Sequence, residues 1–251
     1  CETGVPVSSG FNLIGTVLGN NNTTFTDFTQ LFIGVEYCYV VTVFYSDGSE
    51  SCPSNQACAL LKQDVPVITH ASVLTTSTTT GSVYVEWSYP DEFDQSIYPP
   101  PHQYRLYRSD GFFGSNFPVI PTAVFNSIYD TTYVDTALNT VDSAHSYKIE
   151  FYWDSVGTFI YKGKTEIAST VFLSIAPTDE QLNLSWEEHV PWVNHFYEVF
   201  RYNGSSWDSI GRAFTQSFPD TNLINGVTYC YYVKSVGTYS APGFDTTRNN
   251  S

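Results

Sequence analysis

The sequence predicts an all-β chain built as a row of β-sandwiches, and three observations support this fold class. Apolar and polar residues alternate with a period of two in segments such as 83–87, 104–108 and 147–151, as is typical of strands with one buried face. Helical periodicity is hard to find. Turn dipeptides of residues that tolerate positive φ separate the alternating segments: Asp47-Gly48, Asp110-Gly111, Asn203-Gly204 and Asn225-Gly226. Short strands bounded by such turns are typical of sandwiches.

The composition supports packed domains and excludes several partners. Of the 251 residues, 42% are hydrophobic and 17% aromatic, which is enough apolar material to rule out a disordered chain. There are 25 acidic and 10 basic residues, a net charge of −15. We therefore expect no binding to nucleic acid or anionic membrane surfaces, which require a basic face. No apolar run approaches the roughly 18 residues of a membrane helix, so we expect no membrane insertion.

The chain contains a loose internal repeat. An aromatic residue is followed by Asp two positions later, then by Leu, and then by a Tyr that opens a long strand. This pattern occurs three times: Phe25, Asp27, Leu31 and Tyr37; Tyr133, Asp135, Leu138 and Tyr147; Phe218, Asp220, Leu223 and Tyr229. Upstream of the last two copies, Trp87 precedes a Tyr-x-apolar-x-Arg strand at 104–108, and Trp186 precedes another at 197–201. We expect each Trp to fill the space between two sheets, and each Tyr hydroxyl to bind a loop carbonyl where the chain crosses between sheets.

These Trp and Tyr positions resemble those of fibronectin type III modules. The resemblance implies tandem immunoglobulin-like sandwiches: a partial module at 1–62 with strands C′ to G only, and further modules at 63–169 and 170–251. In the partial module, the fibronectin strand order predicts C′ at 11–17, E at 24–28, F at 35–45 and G at 50–58. Strands A, B and C of that module are missing from the sequence, so one face of its sheet requires a cover. A longer native chain would supply it, or a neighbouring copy would, as in strand-complemented filaments.

A narrower resemblance concerns three segments, at 34–73, 104–116 and 172–186. They resemble stretches of very large secreted proteins of gliding bacteria, which are labelled gliding-motility-associated and carry a type IX secretion signal at their far C-terminus. The resemblance implies an extracellular protein of the bacterial cell surface, whose partners are neighbouring modules of the same or an adjacent chain. The expected function is a rigid, non-enzymatic structural or adhesive spacer. The alternatives are a filament subunit and a carbohydrate-binding adhesin that binds surface glycans.

Five Cys is an odd number, so at least one lacks a partner within the chain. Cys38 lies in predicted strand F and Cys58 lies at the end of its antiparallel neighbour G. The resembling proteins have a similar arrangement, so we predict a Cys38–Cys58 disulfide. Cys230 lies in an equivalent Tyr-Cys-Tyr, and its partner would lie just past Ser251. Cys1 and Cys52 pair with each other, or Cys1 pairs with an upstream Cys. The absence of a Cys-x-x-Cys argues against zinc and for oxidised, extracellular use.

No sequence motif for catalysis or for cofactor binding occurs, including HExxH, GxSxG, the P-loop and GxGxxG. We therefore expect no enzyme activity, no cofactor and no metal centre. The weak exception is the carboxylate run Asp91, Glu92 and Asp94, whose oxygens would suit Ca²⁺. This run lacks the EF-hand pattern, and a solvated loop explains it equally well.

Two further features concern glycans. Short Asp-Ser/Thr-apolar segments resemble an O-glycosylation signal known in secreted proteins of the gliding bacteria. The residues that would carry glycans are Thr131, Thr136, Ser143, Ser155, Ser209 and Thr246. Trp192 and Trp207 lie in or near predicted loops, where an indole ring either stacks on a sugar or packs at a module joint.

Overall fold

The computed structural model describes residues 10–19, 22–27, 31, 36–60, 65–90, 93–239 and 248–250. Every regular element in these residues is a β-strand. Within them, no helix has the length and apolar character needed to cross a bilayer. The chain forms two compact units, one within residues 1–62 and one that contains residues 63–239.

In its described residues, the N-terminal unit contains one antiparallel strand pair, β1 (Glu36–Tyr39) and β2 (Ala57–Leu60). Toward the turn, the Ser51 N–H donates to the Val43 carbonyl at 2.8 Å, so predicted strands F and G form an irregular hairpin. The described residues 10–19 and 22–27 contain no strand. The prediction of strand C′ is therefore wrong, and strand E is not formed over its described part. A strand forms only where a neighbour takes up its N–H and C=O groups, and no described segment pairs with these residues.

The second unit begins with a sandwich that we call the middle module. One sheet contains β3 (Ile68–Thr75), β4 (Gly81–Trp87) and β7 (Thr132–Leu138). The other has the order β10 (Ala168–Ser169), β8 (His145–Ser155), β5 (His102–Asp110) and β6 (Ala123–Phe125), with β9 (Thr158–Lys164) also paired to β8. All pairings are antiparallel. In chain order the two sheets are A-B-E and G-F-C-C′, the strand order of a fibronectin type III sandwich.

A second sandwich, the C-terminal module, follows the same plan. Its first sheet contains β11 (Phe172–Thr178), β12 (Gln181–Glu187) and β15 (Ser217–Thr221). Its second sheet has the order β14 (Trp207–Ala213), β13 (Val193–Tyr202), β16 (Tyr231–Thr238) and β17 (Arg248–Asn250). The protein is thus all-β, with tandem immunoglobulin-like sandwiches of the fibronectin type III kind.

The two predicted Trp residues lie at the centres of the two sandwich cores. Trp87 is buried and meets the ring of Tyr104 edge to face at 5.7 Å. Trp186 is buried in the C-terminal module and meets Tyr197 in the same way at 5.1 Å. Edge-to-face contact between buried rings adds about 0.5–1.5 kcal/mol to the burial of their area. The repeated Trp and the first Tyr of the following strand therefore form the same core contact in both modules.

Candidate functional site: ion networks, module joint and outer aromatic strip

The repeated Asp forms an ion network with Arg and Tyr from two other strands. In the middle module, both carboxylate oxygens of Asp135 accept from Arg108 Nη1, at 2.9 and 2.8 Å. The Tyr147 hydroxyl donates to Asp135 Oδ2 at 3.2 Å. In the C-terminal module, Asp220 Oδ2 accepts from Arg201 Nη1 and from the Tyr231 hydroxyl, both at 2.7 Å. Each network joins strands C, E and F across the two sheets.

The N-terminal unit has the Asp–Tyr part of this arrangement, since the Tyr39 hydroxyl donates to Asp27 Oδ2 at 3.0 Å. The Asp-binding residues are thus Tyr39, Tyr147 and Tyr231. The repeat had instead singled out Tyr37, Tyr147 and Tyr229, each with a loop carbonyl as the expected partner. The predicted acceptor, a loop carbonyl, is wrong for Tyr147, whose hydroxyl binds a carboxylate. The Tyr229 hydroxyl does bind the loop before it, but it accepts from the Ile224 N–H at 3.0 Å.

The networks are suited to structure rather than to proton transfer. Burial, with the nearby Asp135 charge, raises the pKa of Tyr147 far above its ordinary value. Burial and the hydrogen bond to Asp220 raise the pKa of Tyr231 in the same direction. Both phenols therefore remain neutral donors at any physiological pH. The sequence signal for the Arg members was present, because Arg108 and Arg201 recur at the same place in both Tyr-x-apolar-x-Arg strands.

The joint between the middle and C-terminal modules consists of a short, hydrogen-bonded linker. Only Thr170 and Val171 lie between β10 and β11, and both are buried. The Thr170 N–H donates to the His145 carbonyl at 2.9 Å, and the His145 N–H donates to Thr170 Oγ1 at 3.2 Å. Across the joint, the His189 N–H donates to Ser169 Oγ at 2.8 Å, and the Ser169 N–H donates to the His189 carbonyl at 2.7 Å. The first linker residue is thus bonded to the middle module, and the strand just before the linker is bonded to the C-terminal module.

Aromatic side chains reinforce this joint. Phe112 and Phe113, from the loop after β5 of the middle module, contact Phe172 at 6.5 Å and His189 at 5.0 Å between ring centroids. The Tyr239 hydroxyl, at the end of β16, donates to the Ile68 carbonyl of β3 at 2.6 Å in a buried hydrogen bond. The joint therefore combines backbone, hydroxyl and ring contacts from both modules.

Trp192 belongs to the same region and is buried, with 5% of its surface exposed. Its indole N–H donates to Asn194 Oδ1 at 3.0 Å, and its ring meets Tyr239 edge to face at 5.9 Å. A ring buried to this extent offers no face to a sugar, so the glycan-stacking role predicted for Trp192 does not fit the structure. The alternative, packing at a module joint, describes it.

Trp207 lies instead on a surface that we call the outer aromatic strip, formed by Phe200, Tyr202, Trp207 and Tyr232. Phe200 and Tyr232 face each other across β13 and β16 and stack at 4.4 Å. Trp207 packs against Tyr232 at 4.9 Å and against Tyr202 at 5.3 Å. Trp207 and Tyr202 remain 45% and 40% exposed. The strip therefore presents ring surface to solvent on the outer side of the sheet.

Polar groups border the strip at the turn between β13 and β14. The Asn203 amide donates to Asp208 Oδ2 at 2.9 Å and to Ser206 Oγ at 2.8 Å. Ser209 faces Phe200 across the β13–β14 pair and is exposed. Exposed rings beside amide, carboxylate and hydroxyl groups are a combination that can contact both the faces and the hydroxyls of a sugar.

The structure contains the Cys38–Cys58 disulfide, between residues that face each other across β1 and β2. Cys52 is also in a disulfide, and the alternatives for Cys1 lie outside the described residues.

Among the described residues, the ligand atoms of Glu36, Cys38 and Cys58 lie within 4.8 Å of one another. Because the two sulfurs are bonded to each other, this group offers no pair of thiolates to a metal ion.

The remaining predicted sites are distributed over the surface. Asp94 Oδ1 accepts from the Ser96 hydroxyl at 2.6 Å and the Ser96 N–H at 2.9 Å, which lowers the pKa of Asp94. The other two calcium candidates, Asp91 and Glu92, lie outside the described residues.

Of the predicted glycan acceptors, Thr136 and Ser209 are exposed. Three others, Thr131, Ser143 and Ser155, are half-buried, and Thr246 lies outside the described residues.

No known protein-family model and no curated protein matches the sequence. Among solved structures, the chain is similar to the FN1–FN3 domains of chicken CNTN1, with 12% identity over 84% of this chain and 75% of that one and a TM-score of 0.28. A segment of two fibronectin type III domains of chicken tenascin matches with 17% identity over 71% and 94%, TM-score 0.23. A segment of titin domains matches with 13% identity over 88% and 93%, TM-score 0.25. TM-scores this low carry no argument, so the fold assignment rests on the strand order of the two modules.

Proposed function

We propose that this chain is a non-enzymatic spacer segment of a large extracellular protein on a bacterial cell surface, in which successive sandwich modules are held in a fixed arrangement. The observation that supports this function is the joint between the middle and C-terminal modules. Consecutive domains move relative to one another by default unless their interface holds them. Here the buried linker is hydrogen-bonded to His145 of the middle module, and Ser169 just before it is hydrogen-bonded to His189 of the C-terminal module. The buried Tyr239–Ile68 bond adds a further attachment.

The extracellular location is supported by the disulfide chemistry, since disulfides persist in oxidising compartments and are rare in the cytosol. The acidic composition favours solubility and disfavours adhesion to nucleic acid or anionic lipid. The bacterial surface, type IX export and O-glycans are supported by the sequence resemblance. Glycans at the exposed Thr136 and Ser209 would add to the solubility of a spacer.

The test is the distribution of distances between spin labels on the two modules. Labels at Thr136→Cys and Ser217→Cys, both exposed strand positions, would be used in a Cys230→Ser background. We expect a single narrow distance distribution. Combining Tyr239→Phe with Phe113→Ala removes a hydrogen bond and a ring contact at the joint, and should broaden the distribution. Tyr202→Phe, remote from the joint contacts, is the control. A broad distribution in the otherwise unaltered protein would contradict the spacer function.

The outer aromatic strip favours a second function, binding of neutral carbohydrate. Its exposed rings at Trp207 and Tyr202 suit stacking on sugar faces, and the chain's net charge of −15 disfavours acidic polysaccharides. We expect binding on an array of neutral glycans to be lost in Trp207→Ala. Phe214→Ala, which removes an exposed aromatic of the same module outside the strip, should leave it unchanged. No bound glycan, or equal loss in both variants, would argue against an adhesin.

The N-terminal unit favours the remaining alternative, a filament subunit. Val41, Val43 and Phe44 are exposed on its hairpin, although this segment is strongly apolar. A strand from a neighbouring molecule would bury them. Sedimentation velocity over a concentration series tests this function: a filament subunit associates, and a monodisperse monomer at all concentrations excludes it.

A further inference from the structure

The residue before the Asp-binding Tyr occupies an equivalent position in all three repeats. The hydroxyls of Tyr39, Tyr147 and Tyr231 each bind the repeated Asp, which aligns the F strands independently of the sequence pattern. The preceding residues are Cys38, Ser146 and Cys230. Because successive side chains of a strand point to opposite faces, all three lie on the side of the F strand away from the ion network.

In the first two repeats, this residue faces a chemically matching residue on the neighbouring G strand. Cys38 faces Cys58 across β1 and β2, and the two form a disulfide. Ser146 faces Ser169 across β8 and β10, and both are fully buried. The position therefore holds a pair of cysteines in the first repeat and a pair of serines in the second. The two side chains differ only in having sulfur or oxygen at the same place.

In the third repeat, Cys230 is an exposed free thiol. Its carbonyl accepts from the Tyr202 N–H at 3.0 Å, so the pairing of strands F and C continues through Cys230. On the other side, strand G is β17, where Asn250 faces Ser235. Cys230 precedes Ser235 by five positions, so the position that faces Cys230 in this register follows Asn250 by five.

We propose that Cys230 is a covalent cross-linking site, which forms a disulfide with a cysteine on a strand that lies beside β16 in the register of β17. Cys38, Cys52 and Cys58, the other described cysteines, are all in disulfides, which form and persist in oxidising compartments. The two Sγ atoms bond by thiol–disulfide exchange with a disulfide oxidant, which takes up the two electrons and two protons and is released as two thiols. The partner cysteine lies on the same polypeptide or on a second molecule, and the chemistry is the same in both cases.

The first experiment uses protein isolated from its natural source. Free thiols are blocked with N-ethylmaleimide, the protein is digested without reduction, and disulfide-linked peptides are identified by mass spectrometry. We expect the Cys230 peptide to be unlabelled and linked to another cysteine-containing peptide. The mass of the intact protein on a non-reducing gel then distinguishes a link within one chain from a link between chains. Quantitative labelling of Cys230, with Cys38 and Cys58 still bridged, would overturn the proposal.

The second experiment tests the register in recombinant protein. Two chains are extended beyond Ser251, one with a cysteine at the fifth position after Asn250 and the other with a cysteine at the fourth. In oxidised glutathione, we expect the first chain to form the Cys230 disulfide in a fraction about tenfold larger than the second, because a one-residue shift turns the side chain to the other face. Circular dichroism checks that both chains fold, and a Cys230→Ser version of each gives the background. Equal bridging in the two chains would overturn the assigned register and with it the proposed site.

Discussion

The middle and C-terminal modules hold the same Asp–Arg–Tyr network at different depths. The Asp135 side chain is 4% exposed and Tyr147 is fully buried, whereas the Asp220 side chain is 10% exposed and Tyr231 is half-buried. The residue before the Tyr differs in the same sense: Ser146 is covered and Cys230 is exposed. The repeated motif therefore supplies the same bonds in both modules, and its surroundings decide how strongly each module depends on them.

The largest expected difference comes from removing the carboxylate. Asp135→Ala leaves the Arg108 charge unpaired and the Tyr147 hydroxyl buried without an acceptor, and we expect a loss of about 3–5 kcal/mol from the middle module. Asp220→Ala should cost the C-terminal module about 1–3 kcal/mol, because Tyr231 has some access to water. Urea unfolding followed by hydrogen exchange and mass spectrometry reports on each module separately.

A double variant separates the charge from the rest of the network. Adding Arg108→Met to Asp135→Ala removes the unpaired guanidinium and should recover part of the loss, since replacing both members of a buried pair costs less than removing one. Losses of equal size from Asp135→Ala and Asp220→Ala would refute the assigned difference in depth.

The sequence predicted the shared core of these modules better than it predicted the network. Strand alternation and the repeated Trp followed by a Tyr-x-apolar-x-Arg strand were sufficient for the all-β fold and for the core positions of Trp87 and Trp186. The repeat predicted no Asp–Tyr bond: of the tyrosines it singled out, only Tyr147 binds the Asp, and its hydroxyl was expected to bind a loop carbonyl. In Tyr-Cys-Tyr, the two tyrosines lie on the same face of the strand, so alternation cannot tell which hydroxyl reaches the Asp.

A second, smaller contrast between the modules concerns the carboxyl group of Glu188 in the C-terminal module. Glu188 is half-buried. One of its oxygens accepts from the Asn194 amide, and the other is buried without a hydrogen-bond partner among the described residues. Burial raises the pKa of Glu188 above the ordinary value of 4.5, although its polar neighbours Ser235, Tyr197 and Asn194 oppose the shift. The folded C-terminal module therefore holds this proton more tightly than the unfolded chain does.

We expect the C-terminal module to lose stability as the pH rises through the interval above 4.5 in which folded Glu188 gives up its proton. Above that interval, the folded state contains a buried carboxylate that the unfolded state keeps in water. Glu188→Gln should remove this slope and raise stability at pH 8, measured by urea unfolding between pH 4 and 8. The neighbouring Glu187 is exposed, so Glu187→Gln should preserve the slope. If the slope of stability against pH persists in Glu188→Gln, it arises from another titrating group and the role given to Glu188 is wrong.

The joint was the part of the candidate site that sequence could not predict. Trp192 follows a Pro in a loop between strands, a context that predicts exposure as readily as burial. Its ring partner, Tyr239, lies 47 positions further along the chain, and the hydroxyl of Tyr239 binds Ile68 at a separation of 171 residues. Contacts of this range depend on how two folded modules meet, and no local pattern encodes them.

The smallest expected difference concerns the backbone two positions after the network Asp. Ala137 and Asn222 occupy this place in the two modules, both with φ of 60° and both exposed. A side chain with a Cβ pays about 1–2 kcal/mol in this left-handed region, and Asn tolerates it better than Ala because its amide bonds locally. Ala137→Gly should therefore stabilise the middle module by about 0.5–1 kcal/mol, even after the greater chain entropy of Gly is subtracted.

The matched substitution in the C-terminal module, Asn222→Gly, should change stability by less than about 0.5 kcal/mol. Ala176→Gly, at an exposed position in β11, has no positive φ to relieve and should lose about 0.5–1 kcal/mol through chain entropy alone. The three variants together separate backbone strain from glycine's general cost, with thermal and urea unfolding as the readout. If Ala137→Gly destabilised as Ala176→Gly does, the strain at Ala137 would be absorbed elsewhere in the turn, and the two modules would not differ at this position.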